Sequence, residues 1–419
     1  MADKNYRERI KKQNTAADEI RISDDEMSEA SHAGNPYYDG VARKYSAARY
    51  ALLIFLVIFM LFAALRNPES ISYDNLMFLL KDLGSVHDAS NVEFGNVTYN
   101  PDTTLSFSGF RRNLAIATSA GLRIYAGDGS LIFEGKDKFS NPHIENSSRY
   151  LLLYDFGGNS FALYNSFARI YTEKTDYEIT GGDISDSGMF AIVTKTKEYN
   201  SAVMLYTKNC KLKNRYLSED RVIDVSINDD GSRICILTFD AENSSFVTKI
   251  KISKPGEDKP ITTLSLGDAF PLSCEYTSDG NLTVFCDKAL YFYDSDGNLL
   301  GSYSPSGDIE AAKLTEEGAI IALPKNAVTT GSTVILLDTK GNVVFTKDFE
   351  GKITLLDYKD GKVFTLAGNM LASTDVNSLS TITKKTSSGG KSMVVYSEDD
   401  VFVCSGSYAE YFDFSESGG

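Results

Sequence analysis

From residue 92 onward the chain alternates short apolar runs with polar turns. Runs such as FAIVT (190–194), ICILT (234–238), TVFC (283–286), AIIAL (319–323) and VFVCS (401–405) are four or five residues long. They are rich in β-branched and aromatic side chains, the composition of strands. Two of them commonly flank a tight turn, as in IYAGDGSLIF (124–133), YFYDSDGNLLGSYS (291–304) and ILLDTKGNVVF (335–345). Asp-Gly and related pairs tolerate the positive φ that such hairpin turns require.

The hairpins form two interleaved series. The first has turns near Phe110–Asn113, Asn146–Ser147, Ser187–Gly188, Asp230–Gly231, Asp279–Gly280, Glu317–Gly318, Asp360–Gly361 and Asp399–Asp400. The second has turns at Asp128–Gly129, Asn165–Ser166, Lys208–Asn209, Pro255–Gly256, Asp296–Gly297 and Lys340–Gly341, with a fainter one near Asp375–Asn377. Gly129 and Gly297 lie 168 residues apart, four steps of 42. Two hairpin turns per forty-odd residues give four strands per unit. Four-stranded units of that length, stacked radially, are the blades of a β-propeller. The pattern predicts an all-β, eight-bladed propeller over residues 92–419, with seven blades as the alternative. The last unit has material for three strands, so residues 92–100 (VEFGNVTYN) are expected to supply the fourth and close the ring.

One stretch breaks the pattern. Tyr50–Leu65 is sixteen residues with no charge and no helix breaker. At 1.5 Å per residue it covers about 24 Å, and Ser46–Ala48 with a snorkelling Arg49 extend it toward the roughly 30 Å of a bilayer core. It follows a leader too long for a cleaved signal peptide. The expectation is one transmembrane helix over 46–66. Arg43, Lys44 and Arg49 precede it and Arg66 follows, which places the N-terminus in the cytoplasm and the propeller outside the cell membrane. Residues 1–45 have few apolar positions and mixed charge, and are expected to form a disordered cytoplasmic tail. In 67–91, Leu76, Leu79, Leu80 and Leu83 fall on one helical face, predicting a short neck helix.

Charge sharpens this picture. The net charge is −15, and the excess lies wholly in residues 50–419, with 33 basic and 48 acidic residues. That balance argues against nucleic-acid binding. Five cysteines are too few for a disulfide framework. A three-residue turn at Asp279–Asn281 would set Cys274 opposite Cys286 and allow a cross-hairpin disulfide; otherwise both are buried thiols.

Catalytic signals are sparse. There are three histidines, His32, His87 and His143, and no His/Cys/Asp set with metal-ligand spacing. DSDGN (294–298) lacks the later residues of a calcium loop. No P-loop, dinucleotide fingerprint or nucleophile elbow occurs. No cofactor is expected. A pair of carboxylates for glycoside chemistry would be hidden among the many acids.

The hairpins at 124–133 and 335–345 resemble those of quinoprotein-like propellers, with Phe133 and Phe345 four residues after Gly129 and Gly341, where that group carries a docking Trp; this chain has no Trp. The whole layout of charged tail, span, ISYDNLMFLLKDL neck and propeller resembles bacterial single-pass, membrane-anchored propeller proteins whose domain has no assigned function. The resemblance implies fold and location, and no activity.

Propellers bind most often through the loops between second and third strands. Here those are 118–121, 156–160, 195–202, 240–245, 286–289 and 324–332. The longest carry Lys195, Lys197, Tyr199, Glu242, Asn243, Lys325 and Asn326, the candidate binding residues. The reading is an extracytoplasmic, non-catalytic binding or scaffold module whose partner is a protein or an envelope glycan. The alternatives are a hydrolase of envelope glycans and a transmembrane sensor.

Overall fold

The structure is a computed structural model. It describes residues 36–66 and 95–415, apart from 101–103, 112, 136, 166–168, 243–244 and 326–329. The predicted neck helix, with Leu76, Leu79, Leu80 and Leu83, lies outside the described residues, as do residues 1–35. The chain divides into two units, Met1–Ser72 and Tyr73–Gly419.

In the first unit one helix, α1, runs from Pro36 to Arg66. It begins ten residues before the predicted span. Proline is compatible with a first helical turn, and the next proline, Pro68, lies beyond Arg66. Every side chain from Leu52 to Phe59 is at least 47% exposed. Among the described residues no helix is long and apolar enough to cross a membrane.

The second unit is an eight-bladed β-propeller, each blade a four-stranded antiparallel sheet. Blade 1 runs from Ser106 to Glu134, blade 2 from Pro142 to Lys174, blade 3 from Ile179 to Ser218 and blade 4 from Arg221 to Gly267. Blade 5 runs from Pro271 to Tyr303, blade 6 from Ala311 to Phe349 and blade 7 from Ile353 to Lys385. Blade 8 takes three strands from Ser392–Asp413 and its outermost one, Val97–Thr98, from the other end of the domain. That closing strand pairs Val97 with Ala409 and Thr98 with Tyr408.

The repeated turns have a common physical basis. Gly129, Gly297 and Gly341 adopt φ near +81°, +93° and +83°, the region glycine enters without strain. The aspartates ahead of two of them cap the turn: Asp294 accepts the N–H groups of Asp296 and Asn298, and Asp338 those of Lys340 and Asn342. A bulge follows on the outer strand, where Leu300 is the extra residue opposite Phe292–Tyr293 and Val344 the extra residue opposite Leu336–Leu337. Each bulge hands the chain to an outer strand that faces water on one side.

The core is divided. Eight apolar clusters each join neighbouring blades, as where Leu290 and Phe292 of blade 5 meet Ala319 and Ile321 of blade 6. The second strand of blade 3, Phe190–Thr194, is buried at all five positions, as a central strand must be. Among the described residues the apolar clusters lie between blades, and the ring is held by these interfaces.

The cysteine register differs from the expectation. Thr277 donates its N–H to Asn281, so the turn closes one residue earlier on each strand and the cross-strand partner of Cys274 moves by two. Cys274 then pairs with Val284, while Cys286 lies opposite Pro271. The two thiols share a core cluster without facing each other, and none of the five cysteines forms a disulfide.

Candidate functional site

Antiparallel blades present two different faces. The first-to-second and third-to-fourth strand turns lie on one, here the turn face. The second-to-third loops and the blade-to-blade connections lie on the other, the loop face. The polypeptide enters at the turn face, where Gly95 donates its N–H to Gly127 at 2.7 Å beside the Asp128–Gly129 turn. It crosses to the loop face at Tyr99, which bonds Ser407. The loop face is thus opposite the entry point.

The structure distributes the sequence-predicted residues around this face without bringing them together. Lys195 and Tyr199 are exposed in the 195–200 loop of blade 3, and Lys197 lies between them. Lys195 is paired with Glu178. Lys325 is three blades away and pairs with Asp348 at 2.8 Å. Glu242 ends a nine-residue strand, Ile234–Glu242, whose hairpin with Ser245–Ser253 is the longest in the ring. Asn243 and Asn326 lie outside the described residues.

What the sequence reading missed is an arc of aromatic side chains. Phe156 (43% exposed), Tyr177 (37%), Tyr199 (37%), Phe246 (58%) and Phe270 (44%) all belong to loop-face ends of blades 2 to 5. Phe239, Phe246 and Phe270 pack together at the base of the long hairpin, with ring centroids 5.1 and 4.9 Å from Phe239. Burying aromatic area is worth a large share of any interface energy, and leaving it wet is unfavourable. Two clefts lie on the same arc. One, of about 500 Å³, is lined by Gly157, Asn159, Tyr177, Glu178 and Lys195. The other, of about 680 Å³, has Leu272, Phe285 and Ile309 as its apolar lining and Asp287, Lys288 and Asp308 around it. A detectable signal was present: a large aromatic inside a polar connection, as in TDYE and GDAF.

A second constellation lines the central channel. Ser108, Glu145, Asp183, Ser226, Glu275, Lys313, Asp357 and Val394 occupy one equivalent position, two residues before the first hairpin closes in each blade. First strands diverge from one another around the ring, so their edge N–H groups have no strand partner. Side chains from this girdle and just beneath it substitute. Asp183 accepts the N–H of Ile227 at 2.6 Å, Asp224 that of Cys274 at 2.9 Å, and Ser226 that of Tyr276 at 3.0 Å. Lys313 is ion-paired with Asp357. A cavity of about 340 Å³ opens on Ser108, Glu275, Lys313, Asp357 and Val394.

Burial dominates the electrostatics of this girdle. It raises Asp183 to about 6 and Asp224 to about 7, against the backbone N–H bonds that favour their ionised forms. Burial, reinforced by the Asp183 charge, raises Glu275 to about 8. Glu145 is pushed well up by burial and by the charges of Asp183, Asp224 and Glu275.

This has a measurable consequence. Unfolded carboxyls titrate near pH 4, so between about pH 4 and pH 8 the folded chain holds protons that the unfolded chain releases. Stability therefore falls as pH rises through this window. The ceiling is roughly 1.4 kcal/mol per pH unit for each such group, lowered by water in the channel. Thermal midpoints measured across pH 5–8 should decline, and Asp183→Asn with Glu275→Gln should flatten the slope. A midpoint that rises with pH contradicts the assignment.

His143 stacks between Tyr154 and Phe156, with centroids 5.7 and 5.1 Å away, and burial lowers its pKa. Among the described residues no group of three or more His, Cys, Asp or Glu side chains is arranged to hold a metal ion.

The model of a family of unknown function (DUF5711) matches residues 88–410, and the chain belongs to that family. No curated protein matches it in sequence. Among solved structures it is similar to one described as a crystal structure of the eukaryotic initiation factor, at 11% identity and a TM-score of 0.52, covering 77% of this chain and 94% of that one. It is also similar to the Cps50 (Swd1) β-propeller domain of Myceliophteria thermophila, at 12% identity and a TM-score of 0.47, covering 68% and 97%. At such identities the first likeness speaks for the fold alone.

Proposed function

We propose that this member of the family is a membrane-anchored, non-catalytic binding or scaffold module that engages its partner through the loop face. The observation that carries the reading is that the exposed aromatics among the described residues of the propeller lie on one arc of that face, on a ring whose inner strands are buried. The channel carboxyls have a sufficient structural role in satisfying edge N–H groups, which supports binding over catalysis.

Anchoring is part of the same proposal. Helix α1 exposes apolar side chains on every side from Leu52 to Phe59, a surface that water disfavours and a bilayer accepts. The sixteen-residue run is short, and Arg49 snorkelling with Ser46–Ala48 makes up the length. The flanking basic residues favour a cytoplasmic N-terminus and an extracytoplasmic propeller. Protease added to intact cells should degrade the propeller and spare the tail; the reverse pattern would overturn the orientation. For the loop face, Tyr177→Ala with Phe246→Ala should abolish co-purification of a partner that the wild type retains. Retention by the double variant would remove the face from consideration.

A second reading has one observation in its favour. Glu275, near 8, keeps a proton at neutral pH in the same channel as Asp183 and Lys313, which is what a general acid for glycoside cleavage needs. Turnover of a dye-labelled cell-wall polysaccharide that is lost in Glu275→Gln would establish it; absence of turnover in the wild type excludes it for that substrate.

A further inference from the structure

We propose that the arc of blades 2 to 5 on the loop face docks a Lys/Arg-rich segment of a protein partner. This rests on the reading of that face as the binding surface and adds the chemistry of what it binds.

The loop face is electrically divided. Its described connections in blades 2 to 5 run over 156–159, 175–178, 195–200, 219–220, 268–270, 287–289 and 304–310. They carry nine acids against three lysines. Among the described residues, the corresponding connections of blades 6, 7, 8 and 1 carry two acids, Asp137 and Glu350, against four lysines, Lys138, Lys325, Lys352 and Lys391. Among the described residues of the propeller, the five exposed aromatics all lie on the acidic half. Two of its three lysines are already engaged, Lys195 with Glu178 and Lys288 with Asp268. Asp176, Glu198, Glu219 and Asp308 are exposed and form no ion pair among the described residues.

Aromatic faces beside unpaired carboxylates suit one class of side chain. Guanidinium and ammonium groups stack on rings and bond carboxylates at the same time. Tyr177 and the unpaired Asp176 share one cleft, and Phe285 and Asp308 share the other. An anionic polymer would be repelled by this arc, and a neutral glycan has no counter-charge to offer it. The same field would speed the encounter with a basic partner.

The test uses the full chain in detergent micelles and a fluorescein-labelled (Arg-Gly-Phe)4 peptide, with (Glu-Gly-Phe)4 and cellohexaose as comparators. The basic peptide should bind and the acidic one should not. Asp176→Asn/Glu198→Gln/Asp308→Asn should weaken binding about tenfold, from three exposed charge contacts. Tyr177→Ala/Phe246→Ala should weaken it by a similar factor. A control triple away from the loop face, Glu257→Gln/Asp258→Asn/Glu398→Gln, removes the same charge and should change binding less than about twofold. Equal loss in both triples would mean attraction to the net charge alone and would overturn the proposal. Cellohexaose bound more tightly than the basic peptide, and released by Tyr177→Ala/Phe246→Ala, would overturn the partner class while leaving the face as the binding surface. No response of any probe to the arc variants would overturn the proposal as well, and the face itself is then judged by co-purification.

Discussion

Val97→Asp will open the ring. Val97 is fully buried where blade 8 meets blade 1, among Leu114, Ile116 and Phe402. It belongs to a closing strand only two residues long, so few other contacts share the load. Its neighbour Tyr99 fixes the same seam: the hydroxyl donates toward the carbonyls of Ser405 at 2.6 Å and Tyr408 at 2.9 Å, and the ring meets Phe107 at 5.9 Å. A carboxylate at position 97 would be an unpaired charge in an apolar cluster. The expected cost is above about 4 kcal/mol, in the range that marks the exceptional substitution. The unpaired edge of Tyr408–Asp413 would then be available to other chains, so aggregation should accompany the loss. Tyr99→Phe keeps the ring and removes the hydroxyl, and should cost only about 1–3 kcal/mol. Denaturant unfolding of the two variants checks both figures. A Val97→Asp protein as stable as the wild type would show that the N-terminal strand does not close the ring.

Phe190→Ala should be nearly as damaging, for a different reason. Phe190 stacks on Tyr206 of the same blade with centroids 4.8 Å apart and planes within 2°. Its edge meets Phe161 of blade 2 at 5.9 Å, and Phe161 also contacts Tyr206 at 5.6 Å. All three rings are buried, and they carry the interface between blades 2 and 3. Truncation removes the transfer energy of the ring and leaves a cavity between two rigid sheets that cannot collapse together, a loss of roughly 3–5 kcal/mol. Leu131→Ala, on the outer strand of blade 1 and 49% exposed, should change stability by less than about 0.5 kcal/mol. Similar effects from the two substitutions would contradict the division of the core into interfaces.

The architecture was legible because its signals are local. An Asp-x-x-Gly turn such as Asp338–Gly341 announces itself within five residues, and its recurrence counts the blades. Even the closing strand could be inferred, from the missing fourth strand of the last unit. The site was less legible because it is assembled at a distance. Glu145, Asp183, Glu275 and Lys313 each look like an isolated polar residue in a strand, and only ring closure makes them neighbours. The loop residues were chosen by loop length, which cannot show that Lys195 and Lys325 already have carboxylate partners or that they sit three blades apart. Tyr199 was found; Phe156, Tyr177 and Phe270 were passed over because their loops are short, and Phe246 because it falls one residue beyond the 240–245 loop. Of the two cysteine readings the buried thiols hold, because the register that would set Cys274 opposite Cys286 is shifted by two residues, a shift that depends on where Thr277 and Asn281 close the turn and cannot be read from spacing alone.

The central claim is that the loop face, and not the turn face, meets the partner. Site-specific photo-crosslinking in living cells tests it most directly. A photoreactive residue would be placed at Tyr199 or Phe246 on the loop face, and at Lys340, exposed in a blade 6 turn on the opposite face. The account predicts one reproducible adduct from both loop-face positions and none from position 340. Capture from position 340 alone, with nothing from Tyr199 or Phe246, would contradict it.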